Sequence, residues 1–188
     1  MPEVHIRPAT SADIPYLVDI DPNYTSDHVW QMDIQAEEGE VKLSFRQIRL
    51  PRSVRVEYPH PSTKLVDDWV NRSGVLVALL ENELVGYIGL MQDIAPLTTW
   101  VTDLVILRRH RRKGIGSALV LAAQEWAIQK RTSRVVLEMQ PKNYPAICMA
   151  QKLGYDFCGY HDHYFPNRDV ALFFSKSLPW ELKPAQPS

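Results

Sequence analysis

A run of cations directly before two glycines is the first feature of this sequence that could do chemistry. The run is HRRKGIG, residues 110–116, and it ends in Gly-x-Gly at Gly114 and Gly116. Glycines let an anion approach backbone N–H groups closely, and cationic side chains add charge-assisted hydrogen bonds to phosphate oxygens. The stretch therefore predicts either a phosphate-binding turn or an ordinary basic turn that faces solvent.

A helix is predicted directly after these glycines. Apolar residues recur at helical spacing at Ile115, Leu119, Ala122 and Trp126. The glycines would then stand at a helix N-terminus, where unpaired N–H groups and the helix dipole attract anions. Other phosphate motifs fit less well, because the run lacks the third glycine of a dinucleotide fingerprint and the Gly-Lys-Ser/Thr ending of a nucleotide P-loop.

Predicted strands and helices are mixed along the rest of the chain. EVHIRPA is typical of a strand, and Thr10 or Ser11 would cap the helix after it. One hairpin is predicted around EEGE, and a second has Glu81 and Asn82 at its tip. TTWVTDLVIL, RVVLEMQ, YDFCGY and VALFFSKSL are further strands, and YPAICMAQKLG is a helix that Gly154 would end. We expect one α/β (α+β) domain over residues 1–178, with a mixed, mostly antiparallel sheet flanked by helices and a frayed tail at 179–188.

Composition limits the classes of function. The chain has 188 residues, 45% of them hydrophobic and 23% charged, which suits one globular domain. The formal net charge of -1 disfavours a dedicated nucleic-acid binder. The apolar run at 75–80 is about a third of a membrane-spanning helix, so a soluble protein without membrane partners is expected. Two cysteines without metal or redox spacing, and an N-terminus without an apolar signal core, favour the cytoplasm.

Two blocks of this sequence resemble the acetyl-CoA core of the GNAT N-acetyltransferases. The first is TWVTDLVILRRHRRKGIGSALV, where Arg111, Gly114 and Gly116 match the family signature Arg/Gln-x-x-Gly-x-Gly/Ala. The second is VVLEMQPKNYPAICMAQKLGYDFCGY, with matches at Asn143, Ala146, Ile147, Leu153, Gly154 and Tyr155. The resemblance covers residues 1–178 in element order and is specific over about 75–160. YTSDHVWQMD, LSFRQIRLP and VEYP are similar to the N-terminal part of the streptothricin acetyltransferase branch.

This resemblance implies that the cofactor is acetyl-CoA, and it implies which residues bind the pantetheine arm and which bind the pyrophosphate. The backbone of Leu104, Val105 and Ile106 would bind the pantetheine arm, with Asn143 beside it. The pyrophosphate would bind the signature residues, which are Arg111, Arg112, Lys113, Gly114, Ile115, Gly116 and Ser117. The implied reaction is acetyl transfer to a primary amine of a small molecule in a ternary complex, with a protein amine as the alternative acceptor. A homodimer is implied by analogy.

Two carboxylates are candidates for the general base that the reaction needs. Glu138 lies five residues before Asn143, where a similar branch of the family keeps a catalytic glutamate. Asp103 is the second candidate, while the glutamate of many relatives is replaced by Thr102. The alternative for both carboxylates is a strand-end charge that faces solvent or pairs with an arginine. A backbone N–H near Val105 is expected to stabilise the oxyanion.

The general acid departs from the family pattern. The tyrosine that protonates the thiolate in the family comes seven residues after the asparagine, and that position is Ala150. Tyr144, Cys148, Tyr164 or water would have to replace it, although Cys148 is expected to point away from the site. The departure keeps an acetyl-CoA-binding sensor without catalysis as an alternative function.

Two other groups of residues are weighed as sites. Trp30, Asp33, Asp67, Asp68 and Trp69 would suit a cationic amine if they met in one pocket, but scattered surface and core positions are favoured. His161, Asp162 and His163 share the spacing of metal ligands, but no third ligand is suitably spaced and a surface loop is favoured. We therefore expect no metal.

Overall fold

The computed structural model describes residues 3–179, and the strands among them form one seven-stranded sheet and one separate hairpin. The strands of the sheet are β1 (Val4–Pro8), β4 (Gly74–Leu80), β5 (Glu83–Met91), β6 (Thr98–Ile106), β7 (Arg134–Met139), β8 (Asp156–His161) and β9 (Ala171–Ser177). Their order is β1-β4-β5-β6-β7-β9-β8, and the β6–β7 pair is parallel while the other pairs are antiparallel. The predicted mixed, mostly antiparallel sheet is confirmed.

Helices cover both faces of this sheet. They are α1 (Ile14–Val18), α2 (Lys64–Asp68), α3 (Ile115–Gln129) and α4 (Tyr144–Lys152). Strand β4 shows how the faces divide, because Leu76 and Ala78 join the core beneath α3 and α4, whereas Val75 and Val77 join the core beneath α1 and α2. Alternate residues of a strand point to opposite faces, so one apolar strand serves both cores.

Local sequence explains the two helices beside the predicted phosphate turn. Helix α3 begins directly after Gly114 and buries Ile115 and Leu119, as its apolar spacing predicts. Helix α4 has a proline in its first turn, and Asn143 at its N-cap accepts a hydrogen bond from the N–H of Ala146 over 3.3 Å. Gly154, with φ +77°, follows the helix and takes the left-handed conformation that commonly ends one.

The predicted cap of α1 is wrong. Asp13 occupies the N-cap position, and neither Thr10 nor Ser11 does. The Asp13 carboxylate accepts two hydrogen bonds from Arg7, at 2.7 and 2.8 Å, and one from the Thr10 N–H at 2.7 Å. Thr10 thus lies in a turn that the carboxylate of Asp13 closes, and helix α1 begins two or three residues later than a cap at Ser11 or Thr10 implies.

The separate hairpin consists of β2 (Tyr24–Glu37) and β3 (Glu40–Val56), and it confirms the hairpin predicted around EEGE. About midway along it, the ring centroids of Trp30 and Phe174 lie 5.5 Å apart, and those of Phe45 and Phe157 lie 5.1 Å apart. The N–H of Trp30 also donates to the carbonyl of Pro141 over 3.0 Å. These contacts hold the middle of the hairpin against β8, β9 and the residues that follow β7.

A gap opens where the parallel strands β6 and β7 separate. They pair only over Thr98–Val101 and Arg134–Leu137, and β6 then continues to Ile106. Over the part of the chain that the structure describes, residues 103–106 therefore have a strand partner on one side only, β5. Backbone groups on this side of β6 bond to side chains where they have no strand partner, the N–H of Leu104 to the Tyr58 hydroxyl and the carbonyl of Ile106 to Arg111, so a ligand can lie along this edge. The predicted tail at 179–188 lies, apart from Pro179, outside the described residues.

Candidate active site

A cleft of about 800 Å³ occupies the gap between β6 and β7. Its walls are the end of β6, the starts of α3 and α4, the loop after β3 and the start of β2. Ten of the residues predicted for the site line it: Leu104, Val105, Ile106, Arg111, Arg112, Gly114, Gly116, Ser117, Glu138 and Asn143. Asp103, Lys113 and Ile115 lie outside this lining. The side chain of Ile115 packs in the core, so only its backbone could face a ligand.

The turn before α3 has the shape of an anion cradle. Arg112 has φ +64° and Gly114 has φ +85°, so left-handed residues alternate just before the helix. Such alternation turns successive N–H groups toward one point, and the first N–H groups of a helix are unpaired. No side chain caps α3, and a Cβ at Gly114 would meet nothing within 4 Å. The turn therefore fits the pyrophosphate that the sequence predicts here.

Arg111 has a different set of partners from the one its sequence position suggests. Its Nε donates to the carbonyl of Ile106 over 2.8 Å, and its two terminal nitrogens donate to the carbonyls of Asn23 and Asp21 over 2.5 and 2.6 Å. The guanidinium thus joins the end of β6 to the segment before β2. This geometry favours a role in holding the cleft wall over a direct phosphate contact.

Glu138 lies near the end of β7, at the floor of the gap. Its side chain is 2% exposed. Burial raises the pKa of this carboxyl from an ordinary 4.5 to about 7, although the charge of His60 and the hydrogen bond from Tyr164 oppose the rise. A carboxylate whose pKa lies near neutrality can take a proton from a substrate at physiological pH.

Asp103 lies on β6 across the gap and is fully paired. It accepts hydrogen bonds from Arg72, from His60 over 3.1 Å and from the hydroxyl of Tyr58 over 3.3 Å. Burial acts to raise its pKa, but the His60 hydrogen bond and the charge of Arg72 outweigh that effect and hold the pKa at about 2. Asp103 is therefore a permanently charged anchor, and the arginine pair considered from the sequence is present.

His60 joins the two carboxylates, and sequence analysis missed it. Its Nδ1 lies 3.1 Å from Oδ1 of Asp103, and its Nε2 lies 3.7 Å from Oε1 of Glu138. The ring also packs edge-on against Phe165, with centroids 5.6 Å apart. The only local signal was the motif YPHP, in which two prolines flank the histidine and restrict the backbone around it.

Comparison with known proteins identifies the family of this chain. Residues 43–155 match the model of the acetyltransferase (GNAT) family. This chain belongs to that family. It is an N-acetyltransferase that uses acetyl-CoA. The predicted family and the predicted fold are both confirmed.

Relatives and solved structures show which members of the family this acetyltransferase resembles. It is 31% identical to a streptothricin acetyltransferase of Escherichia coli over 127 residues, which are 67% of this chain and 71% of that protein. It is also 22% identical to a streptothricin acetyltransferase of Streptomyces lavendulae over 159 residues, which are 81% of this chain and 82% of that protein. A nourseothricin acetyltransferase has the same fold, with a TM-score of 0.78, 21% identity and coverage of 94% and 99%. A Bacillus anthracis protein in complex with acetyl coenzyme A also shares it, with a TM-score of 0.74, 18% identity and coverage of 94% and 100%.

The acetyltransferase lacks a proton donor at the position on α4 where the family has its general-acid tyrosine. Ala150 is there and is completely buried. Of the replacements predicted for it, Cys148 lines the cleft, so the expectation that it points away is wrong. Tyr144 turns to the hairpin, where its ring lies 4.4 Å from that of His28. Tyr164 donates a hydrogen bond to Glu138 over 3.0 Å.

The other candidate residues of the acetyltransferase do not meet in one site. Trp30 packs against Phe174 of β9, while Asp33, Asp67 and Asp68 are exposed and Trp69 lies against the core beneath α1 and α2. His161, Asp162 and His163 are exposed around the end of β8, as expected of a surface loop. Residues 3–179 contain no group of three His, Cys, Asp or Glu placed to hold a metal, and no helix among them has the length and apolar character to cross a membrane.

Proposed function

We propose that this acetyltransferase acetylates a primary amine of a small molecule in a ternary complex, with Glu138 as the general base. The observation that carries the proposal is a buried carboxylate with a pKa of about 7 in the gap between β6 and β7. Streptothricin acetyltransferases among the relatives support a small-molecule acceptor, and streptothricin is the first acceptor to test.

The chain holds the cofactor through its backbone in this proposal. The N–H groups of residues 112–117 bind the pyrophosphate, and the backbone of β6 over residues 104–106, which faces the gap, binds the pantetheine arm beside Asn143. In the free protein the N–H of Leu104 donates to the Tyr58 hydroxyl and the carbonyl of Ile106 accepts from Arg111. Arg111 positions the cleft wall, since its donors are used by backbone carbonyls. When bound, acetyl-CoA supplies the acetyl group as a reactive thioester.

Glu138 performs the proton transfer in this scheme. A primary ammonium has a pKa of about 10.4 in water, so it must lose a proton before its nitrogen can attack. Ionised Glu138 accepts that proton, and the nitrogen keeps the electron pair. That pair would form the bond to the acetyl carbon while the bond from this carbon to sulfur breaks, and CoA would leave as a thiolate, which can take a proton from water because a thiol has a pKa of about 8.5. The N–H of Leu104, which donates to the Tyr58 hydroxyl over 3.3 Å, is the candidate donor to the developing oxyanion.

Acetyl transfer from isotope-labelled acetyl-CoA tests the function. The panel comprises streptothricin, a polyamine and a peptide with a free N-terminus, each followed by mass spectrometry. We expect label on a streptothricin or polyamine amine. Label on the peptide alone would favour the protein N-terminal or lysine acetyltransferase, and no label on any amine despite cofactor binding would favour the non-catalytic sensor.

Three broader predictions also remain proposals. They are an acetyltransferase domain that spans residues 1–178, a cytoplasmic location and a homodimer. Light scattering coupled to size-exclusion chromatography tests the dimer directly, and a mass equal to one chain of 21.6 kDa would refute it.

A further inference from the structure

His60 lies between the two carboxylates that face each other across the gap. It comes from the loop after β3, while Asp103 lies on β6 and Glu138 lies on β7. We infer that His60 is a positioning residue that orients the carboxylate of Glu138 and keeps it negatively charged near neutral pH. This inference rests on the proposed function of Glu138 as the base.

Asp103 fixes the orientation of the imidazole. Arg72 and Tyr58 both donate to Asp103, so this carboxylate stays ionised and can only accept hydrogen bonds. The Nδ1 of His60, 3.1 Å away, must therefore carry a proton. With Nδ1 committed to Asp103, the Nε2 of the ring faces Glu138.

The pair formed by His60 and Glu138 shares a proton. The distance of 3.7 Å between Nε2 and Oε1 suits an ion pair that a small movement would turn into a hydrogen bond. If Nε2 and Glu138 both lacked a proton, two electron-rich atoms would face each other, so the pair takes up one proton as a unit. Asp103 favours the arrangement in which that proton is on the imidazole and Glu138 is ionised.

The charges around His60 agree with this arrangement. Burial acts to lower the pKa of His60, but the hydrogen bond and charge of Asp103 and the charge of Glu138 outweigh burial and the opposing charge of Arg72, and they raise it. The rings of Tyr58 and Phe165 also pack against His60, with centroids 6.0 and 5.6 Å away. Conversely, the charge of His60 lowers the pKa of Glu138.

Removal of the imidazole would therefore leave Glu138 protonated up to a higher pH. The lower limb of the pH profile of kcat/KM would move to higher pH in His60→Gln. A limb that moves from about pH 7 to about pH 8 lowers the rate at pH 7 about fivefold and the rate well below the limb about tenfold, and it leaves the rate well above the limb little changed. The affinity for acetyl-CoA would stay the same, because the contacts of the His60 ring are with Tyr58, Asp103, Glu138 and Phe165, and none of these residues belongs to the α3 turn.

Nuclear magnetic resonance of the free protein tests the pair without any substrate. The ring nitrogens of His60 are identified by comparison with His60→Gln and are titrated in wild type, Glu138→Gln and Asp103→Asn. We expect a His60 pKa above its ordinary value of about 6.5 in wild type and a clear fall in both variants. His5→Gln, at an exposed position on β1, is the matched control. A His60 pKa at or below the ordinary value, or one that Glu138→Gln leaves unchanged, would overturn the inference.

Comparison of His60→Asn with His60→Gln tests whether His60 acts on Glu138 or only donates a hydrogen bond to Asp103. In His60→Asn the amide can still donate to Asp103 from about the place of Nδ1, but nothing replaces Nε2. We expect the pH limb to stay displaced in His60→Asn as it is in His60→Gln. Recovery of the wild-type limb in His60→Asn would show that His60 serves Asp103 alone. The titration decides the inference even if no amine in the panel is acetylated, so the two proposals fail separately.

Discussion

The hydroxyl of Tyr164 donates a hydrogen bond to Oε2 of Glu138 over 3.0 Å. Tyr164 belongs to the loop between β8 and β9, and Glu138 lies on β7, so this bond ties an exposed loop to the floor of the gap. His60 faces the other oxygen of the same carboxylate. The carboxylate is thus held from two sides, and both contacts favour its ionised form.

Tyr164→Phe removes this bond and leaves the ring in place. Because a hydrogen bond to a carboxylate lowers its pKa, the variant should raise the pKa of Glu138. We expect acetyl transfer near pH 7 to fall by about threefold to tenfold and to recover at higher pH, as measured by initial rates of CoA release. Tyr16→Phe, at an exposed position on α1, is the control. Equal losses at every pH would contradict this explanation.

The wild-type enzyme should lose activity as the pH falls. Glu138 must be ionised to accept a proton, and burial raises its pKa to about 7. The value of kcat/KM should therefore rise with pH through about 7 and level off above it. Initial rates at saturating acetyl-CoA from pH 5.5 to 9 measure this limb. A rate that stays constant down to pH 5.5 would mean that the base is a carboxylate with an ordinary pKa.

Glu138 should also reduce stability at high pH. Its pKa rises on folding from 4.5 to about 7, so the folded chain holds the proton more tightly. The stabilisation that this proton provides is present below pH 4.5 and is lost as the pH rises through 7. Glu138→Gln should thus unfold with a free energy about 2–3 kcal/mol higher than wild type at pH 8, with little difference at pH 5.

Urea unfolding at both pH values measures this difference. Glu125→Gln, at an exposed position on α3, is the matched control and should change little at either pH. Glu138→Gln that is less stable than wild type at pH 8 would show that the buried charge is better compensated than its environment implies.

The turn before α3 can be tested with two substitutions at Gly116. A Cβ here would lie 3.3 Å from Sδ of Met149, so Gly116→Ala requires only a small shift of a flexible side chain. Gly116→Glu adds a carboxylate where the pyrophosphate would bind. We expect isothermal titration to show that Gly116→Ala binds acetyl-CoA with nearly normal affinity. In Gly116→Glu the affinity should fall by about 100-fold or more. Similar losses in both variants would point to a packing effect instead.

Features that depend on short stretches of sequence could be predicted. The α3 helix, the glycine turn before it and both hairpins follow from residue types within about 15 positions of one another. Glu138 could also be proposed from its spacing to Asn143, because the family resemblance gives that spacing a meaning. The left-handed residues Glu81 and Asn82 lie at the tip of the second hairpin, as predicted.

Features that depend on contacts between distant segments could not be predicted from the sequence. His60 meets Asp103 across 43 positions of sequence, and Arg72 meets it across 31. No periodicity connects such residues, and only the folded sheet brings them together. Arg111 shows the converse limit, because its type and position suggested phosphate while the carbonyls of Asn23 and Asp21, far away in sequence, bind its guanidinium.

The most direct test of the central claim is to measure both acetyl-CoA affinity and turnover with streptothricin in wild type and Glu138→Gln. Glutamine keeps the shape of the side chain but cannot accept the proton. The account predicts unchanged affinity by isothermal titration and a fall in kcat of about 100-fold or more, since general-base catalysis contributes about 10²–10⁴-fold. Near-normal turnover in Glu138→Gln, with acetyl-CoA bound, would contradict the claim that Glu138 is the base.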